Sequence, residues 1–467
     1  MTYFKTINKD YIFYILYDIL VFVFGTLMDF KVTYIIALIA FPVFLQIFLY
    51  DFEKFTYSIL ILSNLFYQVL FSASDIVVRL FFISIPLLIY QIIIYKFRKI
   101  SSNQRETAKE FQKIPFILLG LFFFNIVIAR MKLPTIVWLS YFMQGFLWYY
   151  FLKGYFSQKK RIISTFIYLN LTALPFYLVG FKELLQMERV SSFTEGPNTF
   201  VGYAVFFVIM NLFLVRNCKH FIIKITSVII ISMSLVIIIG TQSRGGQIGF
   251  IIALFLYLFL YNLKNIKKMF YYLVFFMCSI AIFAISFGSS YLQRYMIVSN
   301  SSIDVSTLDR LGMWWAAIKL FAESPIYGIG LNNYYFYYSK YHMFFKLLSL
   351  KQLKVAHNLY LNVLAESGII GFLVLVFILV YIGKYLVYLL FKSDIDHVGK
   401  DIVVCCACYY VYFLIHNLLD CIWIAINHQI VLFHGAIVLA LIFVVERLYK
   451  KSEDKEISDL INDKESG

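Results

Sequence analysis

The stretch "KVAHNLYLNVLAESGIIGF" sets His357 just ahead of a helix that reads as running into a membrane span. The positive end of a helix dipole disfavours an added positive charge there, which suits a base that must start neutral. Arg244, in "TQSRGGQ", lies between two strongly apolar runs beside Ser243, Gly245 and Gly246. Close backbone approach at the glycines, free amides at the start of the next helix and a planar guanidinium fork would together suit a phosphate. Arg310 opens a Trp-rich helix, and Arg189 stands in "ERVSSFTEGPN". Each has a plainer reading: a structural hydrogen bond for His357, a snorkelling turn residue for Arg244, a solvated first-turn charge for Arg310, a surface pair with Glu188 or Glu195 for Arg189.

The elements that must position these residues are membrane helices. Hydrophobic residues make up 62% of the chain and charged ones 14%, which excludes an ordinary soluble domain. Long apolar runs without strand-like alternation predict an all-α polytopic membrane protein of about 14 (12–14) spans. The later ones begin near Pro134, Ile162, Thr199, Phe221, Gln247, Phe270, Gly368, Asp401 and Ile430. The first apolar run, 11–24, has no small-residue cleavage site after it and reads as a retained helix. The net charge of +15 sits mostly in short loops, so it reports topology and anionic lipid headgroups, not nucleic acid. With alternating spans, "KGYFSQKKR", "RNCKH" and "KNIKK" share the cytoplasmic side, both termini face inward, and Arg189, Arg244, Arg310, His357 and Asp420 share the other. The cysteines lie in or beside apolar runs; the Cys405–Cys408 spacing has no nearby histidine to make it a metal or redox site.

Between two late spans, the outer segment 289–356 is too long for a structureless connection and predicts secondary structure of its own. "STLDRLGMWWAAIKLFAESP" reads as a helix with capping-box-like spacing at Ser306 and Asp309, and with Leu311, Trp314, Trp315, Ile318 and Leu320 as apolar surface. The tyrosines of "PIYGIGLNNYYFYYSKYHMF" predict either an aromatic belt or a sugar-stacking surface.

In this order, several segments resemble the O-antigen ligase and O-antigen polymerase superfamily of bacterial envelope glycan enzymes. "RVSSFTEGPNTFVGY" resembles an outer-loop Asn-Pro-Asn-type segment, with Gly196 in place of the first Asn. "TQSRGGQIGFIIAL" matches a Ser-Arg-Gly pattern, and "RLGMWWAAIKLFAESPIYGIGLNNY" an arginine-started helix followed by Pro-x-x-Gly-x-Gly. His357, Asn358, Gly368 and Gly371 fit H-[NSQ]-x9-G-x-x-[GTY]. The resemblance divides the chain into N-terminal spans (1–186), a catalytic region (187–428) and a last span with cytoplasmic tail (429–467). It implies that His357 activates an acceptor hydroxyl while Arg244 and Arg310, and less directly Arg189, hold the diphosphate of an undecaprenyl-linked glycan. Ser243, Gly245, Asn358, Gly368, Gly371 and Asp420 are the supporting set. It further implies a metal-independent enzyme without cofactor, in the cytoplasmic membrane with its site facing the periplasm or exterior, working with a glycan acceptor and a chain-length regulator. Polymerisation of surface polysaccharide repeats is the first reading and ligation of finished glycan to lipid A core or protein the second. A flippase for the same lipid-linked sugar, suggested by Asp18 within the first span, belongs to a different class.

Overall fold

The computed structural model describes residues 123–262 except 157, 187, 193 and 195, together with 305–343, 355–421, 429–449 and single residues 120 and 267. All of these fall in one compact unit, Ile76–Gly467. The spans expected before residue 120, the one near Phe270, Asp18, the outer stretches 289–304 and 344–354, and the C-terminal tail lie outside the described residues.

Among the described residues the regular elements are helices. They are α1 (Lys132–Tyr155), α2 (Lys159–Leu185), α3 (Pro197–Asn217), α4 (Phe221–Gly240), α5 (Arg244–Tyr261), α6 (Val305–Glu323), the single turn α7 (Tyr334–Tyr337), α8 (Leu359–Phe391), α9 (His397–His416) and α10 (Gln429–Leu448). Six of these, α2 to α5 with α8 and α9, are long and apolar enough to cross a membrane. Connections of three to five residues after α1, α3, α4 and α8 force their neighbours antiparallel.

Burial separates core helices from peripheral ones that are just as apolar. Of the most hydrophobic window of α3, 83% is buried, against 28% for α4 and 22% for α8. Ile222, Val228, Ile229 and Val236 of α4, and Leu373, Phe377 and Val387 of α8, form exposed apolar faces. Such faces are costly in water and ordinary in lipid, so these two helices form the lipid-facing wall. Hydrogen bonds tie the core together where packing alone has no hydrophobic drive in lipid. Asn170 and Asn211 exchange amide bonds of 2.7 and 2.8 Å between α2 and α3, and Tyr177 meets Ser234 at 2.5 Å between α2 and α4.

The helix ends carry opposite chemistry. At one end Asp401, at the start of α9, accepts from Arg216 Nε (3.1 Å), Asn217 Nδ2 (2.9 Å) and Tyr261 OH (2.7 Å), closing α3, α5 and α9 together. Lys159 pairs with Asp396 and Lys392 with Glu446, each at 2.5 Å, so the ends of α8 and α10 and the starts of α2 and α9 join the same layer. This gathers "KGYFSQKKR" and "RNCKH", two of the basic connections that the sequence placed on one side; "KNIKK" falls almost wholly outside the described residues. Arg189, Arg244, His357 and Asp420 lie at the opposite ends of the same helices.

Two sequence expectations change in the outer segment. The Trp-rich helix exists, but its buried face is Met313, Ala316, Ala317 and Leu320, packed on Tyr334, Tyr338, Ala356 and Ala365. Leu311, Trp315 and Ile318 are exposed. The small residues at helical spacing let α6 lie close to α8, which bulky ones would not. Asp309 faces His342 Nε2 at 3.0 Å, so its carboxylate serves that ring. Tyr334 and Tyr338 are fully buried, with Tyr334 OH donating to the Met313 carbonyl at 2.6 Å. These two are core residues, which removes them from any sugar-stacking surface.

Candidate active site at the arginine-bearing end

α8 starts at Leu359, nine residues before the expected Gly368, because Asn358 caps it: its Oδ1 accepts the Leu361 amide at 3.0 Å. The Asn358 amide donates to the Leu418 carbonyl at 2.8 Å, and Leu359 N–H to the carbonyls of Asn417 (3.0 Å) and Asp420 (3.1 Å). The helix start is thereby stitched to the chain leaving α9. His357 precedes the cap with φ of +48°, a left-handed backbone that residues bearing a Cβ seldom adopt. Its Nδ1 lies 3.0 Å from Asp420 Oδ1, and its carbonyl 3.5 Å from Trp314 Nε1 of α6. The Asp420 side chain is 3% accessible and that of His357 26%. A buried carboxylate on Nδ1 calls for the Nδ1–H tautomer and makes Nε2 the basic nitrogen, the arrangement of an oriented general base. Next door, burial and then the Asp420 charge push the Cys421 thiol well up, which argues against a thiolate nucleophile.

The three arginines stand on three other segments of the chain. Arg189 Nε donates to the Thr241 carbonyl at 2.8 Å and Nη2 lies 3.5 Å from that of Gln242, so part of its guanidinium ties the chain after α2 to the turn before α5. Glu183 braces the same chain by accepting the Ser191 and Ser192 amides at 2.7 Å each, a contact the sequence did not flag. Ser243, buried at the N-cap of α5, leads into the half-buried Arg244. A Cβ on Gly246 would sit 2.2 Å from Val201, and one on Gly245 2.9 Å from Leu419. The first turn of α5 is thus wedged between α3 and the segment that ends in Asp420. Arg310 lies one helical turn before Trp314 and so on the same face of α6, the face that meets His357.

Gly368 has a backbone role. It sits at φ +62° where α8 breaks, and a Cβ there would lie 2.4 Å from the Ile326 carbonyl. The break frees carbonyls and amides that residues 325–330 take up. Ile329 and Gly330 donate to Ala365 and Glu366 at 3.1 and 2.8 Å, and Ile369 donates back to Pro325 at 2.8 Å. Gly328, at φ +73°, meets the same strand of chain from the other side. The Pro-x-x-Gly-x-Gly segment and the glycine after the histidine are therefore two halves of one interlock, which docks the outer segment onto α8. Gly371 lies one turn beyond, backed against Ser367. Sequence reading missed the buried Asn362 and Glu366 between His357 and Gly368, although a carboxylate inside an apolar run was the available signal.

Comparison with known proteins finds a family likeness in the same region. A profile of the family described as O-antigen ligase matches residues 227–376, from α4 into α8, and takes in Arg244, Arg310, His357, Gly368 and Gly371. The match supports a likeness to the O-antigen ligase and polymerase superfamily over that region. It is also similar to the teichuronic acid biosynthesis protein TuaE of Bacillus subtilis, 22% identical over 282 residues. That match covers 55% of this chain and 55% of TuaE, so the chain spans about half the length of this curated relative. Arg189 and Asp420 fall outside the profile match, and geometry alone attaches them to its residues.

Proposed function

We propose that this chain is a membrane glycosyltransferase that moves an undecaprenyl-diphosphate-linked oligosaccharide onto a sugar hydroxyl at the outer face of the bacterial cytoplasmic membrane. The observation that carries the reading is the His357–Asp420 pair, set among the arginine-bearing turns at one end of the bundle. His357 Nε2 takes the proton of the acceptor hydroxyl as its oxygen bonds to the anomeric carbon. The bond from that carbon to the diphosphate breaks, and Arg244 and Arg310, with Arg189 beside them in the scheme, hold the charge that develops on the leaving group. Asp420 keeps the ring oriented and stabilises the imidazolium. An apolar cleft of about 260 Å³ runs between α1, α8 and α10, from Leu331 and Leu359 near the site to Tyr381 and Phe443 deeper in the bundle. It offers room for part of a lipid tail while the diphosphate stays at the polar end.

Polymerisation of surface polysaccharide repeats is the primary reading; a relative named for teichuronic acid biosynthesis supports a role in envelope glycan synthesis and fits either reaction. The family's description as O-antigen ligase favours the second, transfer of finished glycan to an envelope acceptor. The test uses full-length protein in nanodiscs with lipid-linked oligosaccharide extracted from a deletion strain. Wild type is expected to yield a longer or transferred glycan and free lipid diphosphate, and inserted His357→Ala to yield neither. Wild-type turnover by that variant would remove the base, and vesicle transport of the oligosaccharide without any new glycosidic bond would replace the enzyme by a transporter. In cells, loss of the gene leaves single repeats on the acceptor if the chain polymerises, and long unattached lipid-linked glycan if it ligates.

A further inference from the structure

Below His357, α8 carries two buried polar side chains that the transfer reaction does not use. Asn362 and Glu366 are 1% and 2% accessible and, four residues apart, lie on one helix face. Buried amides and carboxylates are retained where they are bonded, and the bonds of these two leave the helix. Asn362 Oδ1 accepts the Ala356 amide at 3.1 Å, immediately before His357. Glu366 Oε1 accepts the Tyr334 amide at 2.9 Å and its backbone carbonyl the Gly330 amide at 2.8 Å, while its Oε2 and the Asn362 Nδ2, one helical turn apart, are both buried without a hydrogen-bond partner among the described residues. A polar column thus runs from the interlocked outer segment through Glu366 and Asn362 to the residue that enters the left-handed turn at His357.

We infer that Asn362 is a positioning residue for His357, acting through its bond to the Ala356 amide. The left-handed backbone at His357 is held from three directions: the Ala356 tether to Asn362, the carbonyl contact with Trp314, and the Leu359 amide on the chain after α9. Of these, the Asn362 tether acts on the residue immediately ahead of the histidine. Releasing it lets φ relax toward the ordinary range and swings the ring away from Asp420, without touching the diphosphate-holding arginines. The inference rests on His357 acting as the base.

The test compares Asn362→Leu, which keeps the volume but has no acceptor, with the swapped pair Asn362→Asp plus Glu366→Gln, which keeps one acid and one amide along the column. Full-length protein with isotope-labelled histidine is placed in nanodiscs, and the His357 ring signals are identified by their loss in His357→Gln. In Asn362→Leu these signals are expected to move, and kcat with the extracted lipid-linked donor to fall about 10- to 100-fold while KM stays within about threefold. The swapped pair restores both. Asn362→Ala serves if the leucine variant is not recovered folded. Unchanged ring signals and kcat in the leucine variant would overturn the assignment, as would a swapped pair no better than that variant. Transfer that survives His357→Gln removes the base reading, while the ring signals still report on the tether.

Discussion

At the scale of the residue, the site is an oriented imidazole with cationic turns beside it, and each part has its own test. Asp420→Asn keeps a group of the same shape on Nδ1 but removes the charge that favours the imidazolium. The expected loss of kcat is on the order of 10²- to 10⁴-fold with little change in donor KM. An unchanged kcat in folded protein would leave Asp420 a structural partner only. Arg244→Lys replaces a planar fork with a point charge at the start of α5, so transfer should fall and donor KM rise. Equal kcat and KM in that variant would take the diphosphate away from Arg244. His357, Arg244 and Arg310 could be put forward as candidates from the sequence because a few polar residues beside apolar runs stand out. The Asp420 contact was not, since 63 residues separate it from His357 and only the return of α9 closes the gap.

At the scale of the element, the break in α8 at Gly368 does most to shape the site. Gly368→Ala forces a Cβ against the Ile326 carbonyl in a backbone that already disfavours it, and should cost at least about 1–3 kcal/mol. A clear drop in Tm in detergent, with loss of transfer, is the expected result; a Tm equal to wild type would show that the interlock yields. The outer segment has a second fastening. Glu323 bonds Arg130 (2.8 Å), Lys340 (2.9 Å) and Tyr341 OH. Burial works to raise its pKa, but the bonds from Lys340 and Arg130 outweigh it and hold the carboxyl below its usual range. Its contribution is therefore present above the ordinary carboxylate pKa of about 4 and is lost as pH falls through the lowered value. Hydrogen-exchange protection across residues 334–342, taken relative to the intrinsic rate at each pH, should fall at acid pH in wild type and be low already at neutral pH in Glu323→Gln. Identical exchange in the two proteins at neutral pH would discount the fastening. The helix spacing of α6 was readable from its sequence, whereas the face it buries was not, because apolar residues occupy more than one face and only the chain it packs on selects between them.

At the scale of the whole molecule, one end of the bundle is a layer of ion pairs centred on Asp401 and the other holds the candidate site. If the basic layer is cytoplasmic, Glu188→Cys should react with a membrane-impermeant thiol reagent on intact cells, and Lys219→Cys only after permeabilisation. Both positions are exposed, and the native cysteines among the described residues are buried. The opposite labelling pattern would invert the topology and with it the outward-facing site. The sequence alone also could not rank the spans: α3, α4 and α8 are all strongly apolar, yet the first is enclosed and the other two face outward.

By itself the sequence determined that this is a helical membrane protein, that its basic connections share one side, and which residues could handle a diphosphate and a proton. Those properties are local, set by apolar run length, by charge near span ends and by residue type. Tertiary structure decided which carboxylate holds His357, why Gly368 must be glycine, and which face of α6 is core. Each of these depends on chain segments distant in sequence meeting at hydrogen-bond or van der Waals distance, and no local periodicity encodes such a meeting.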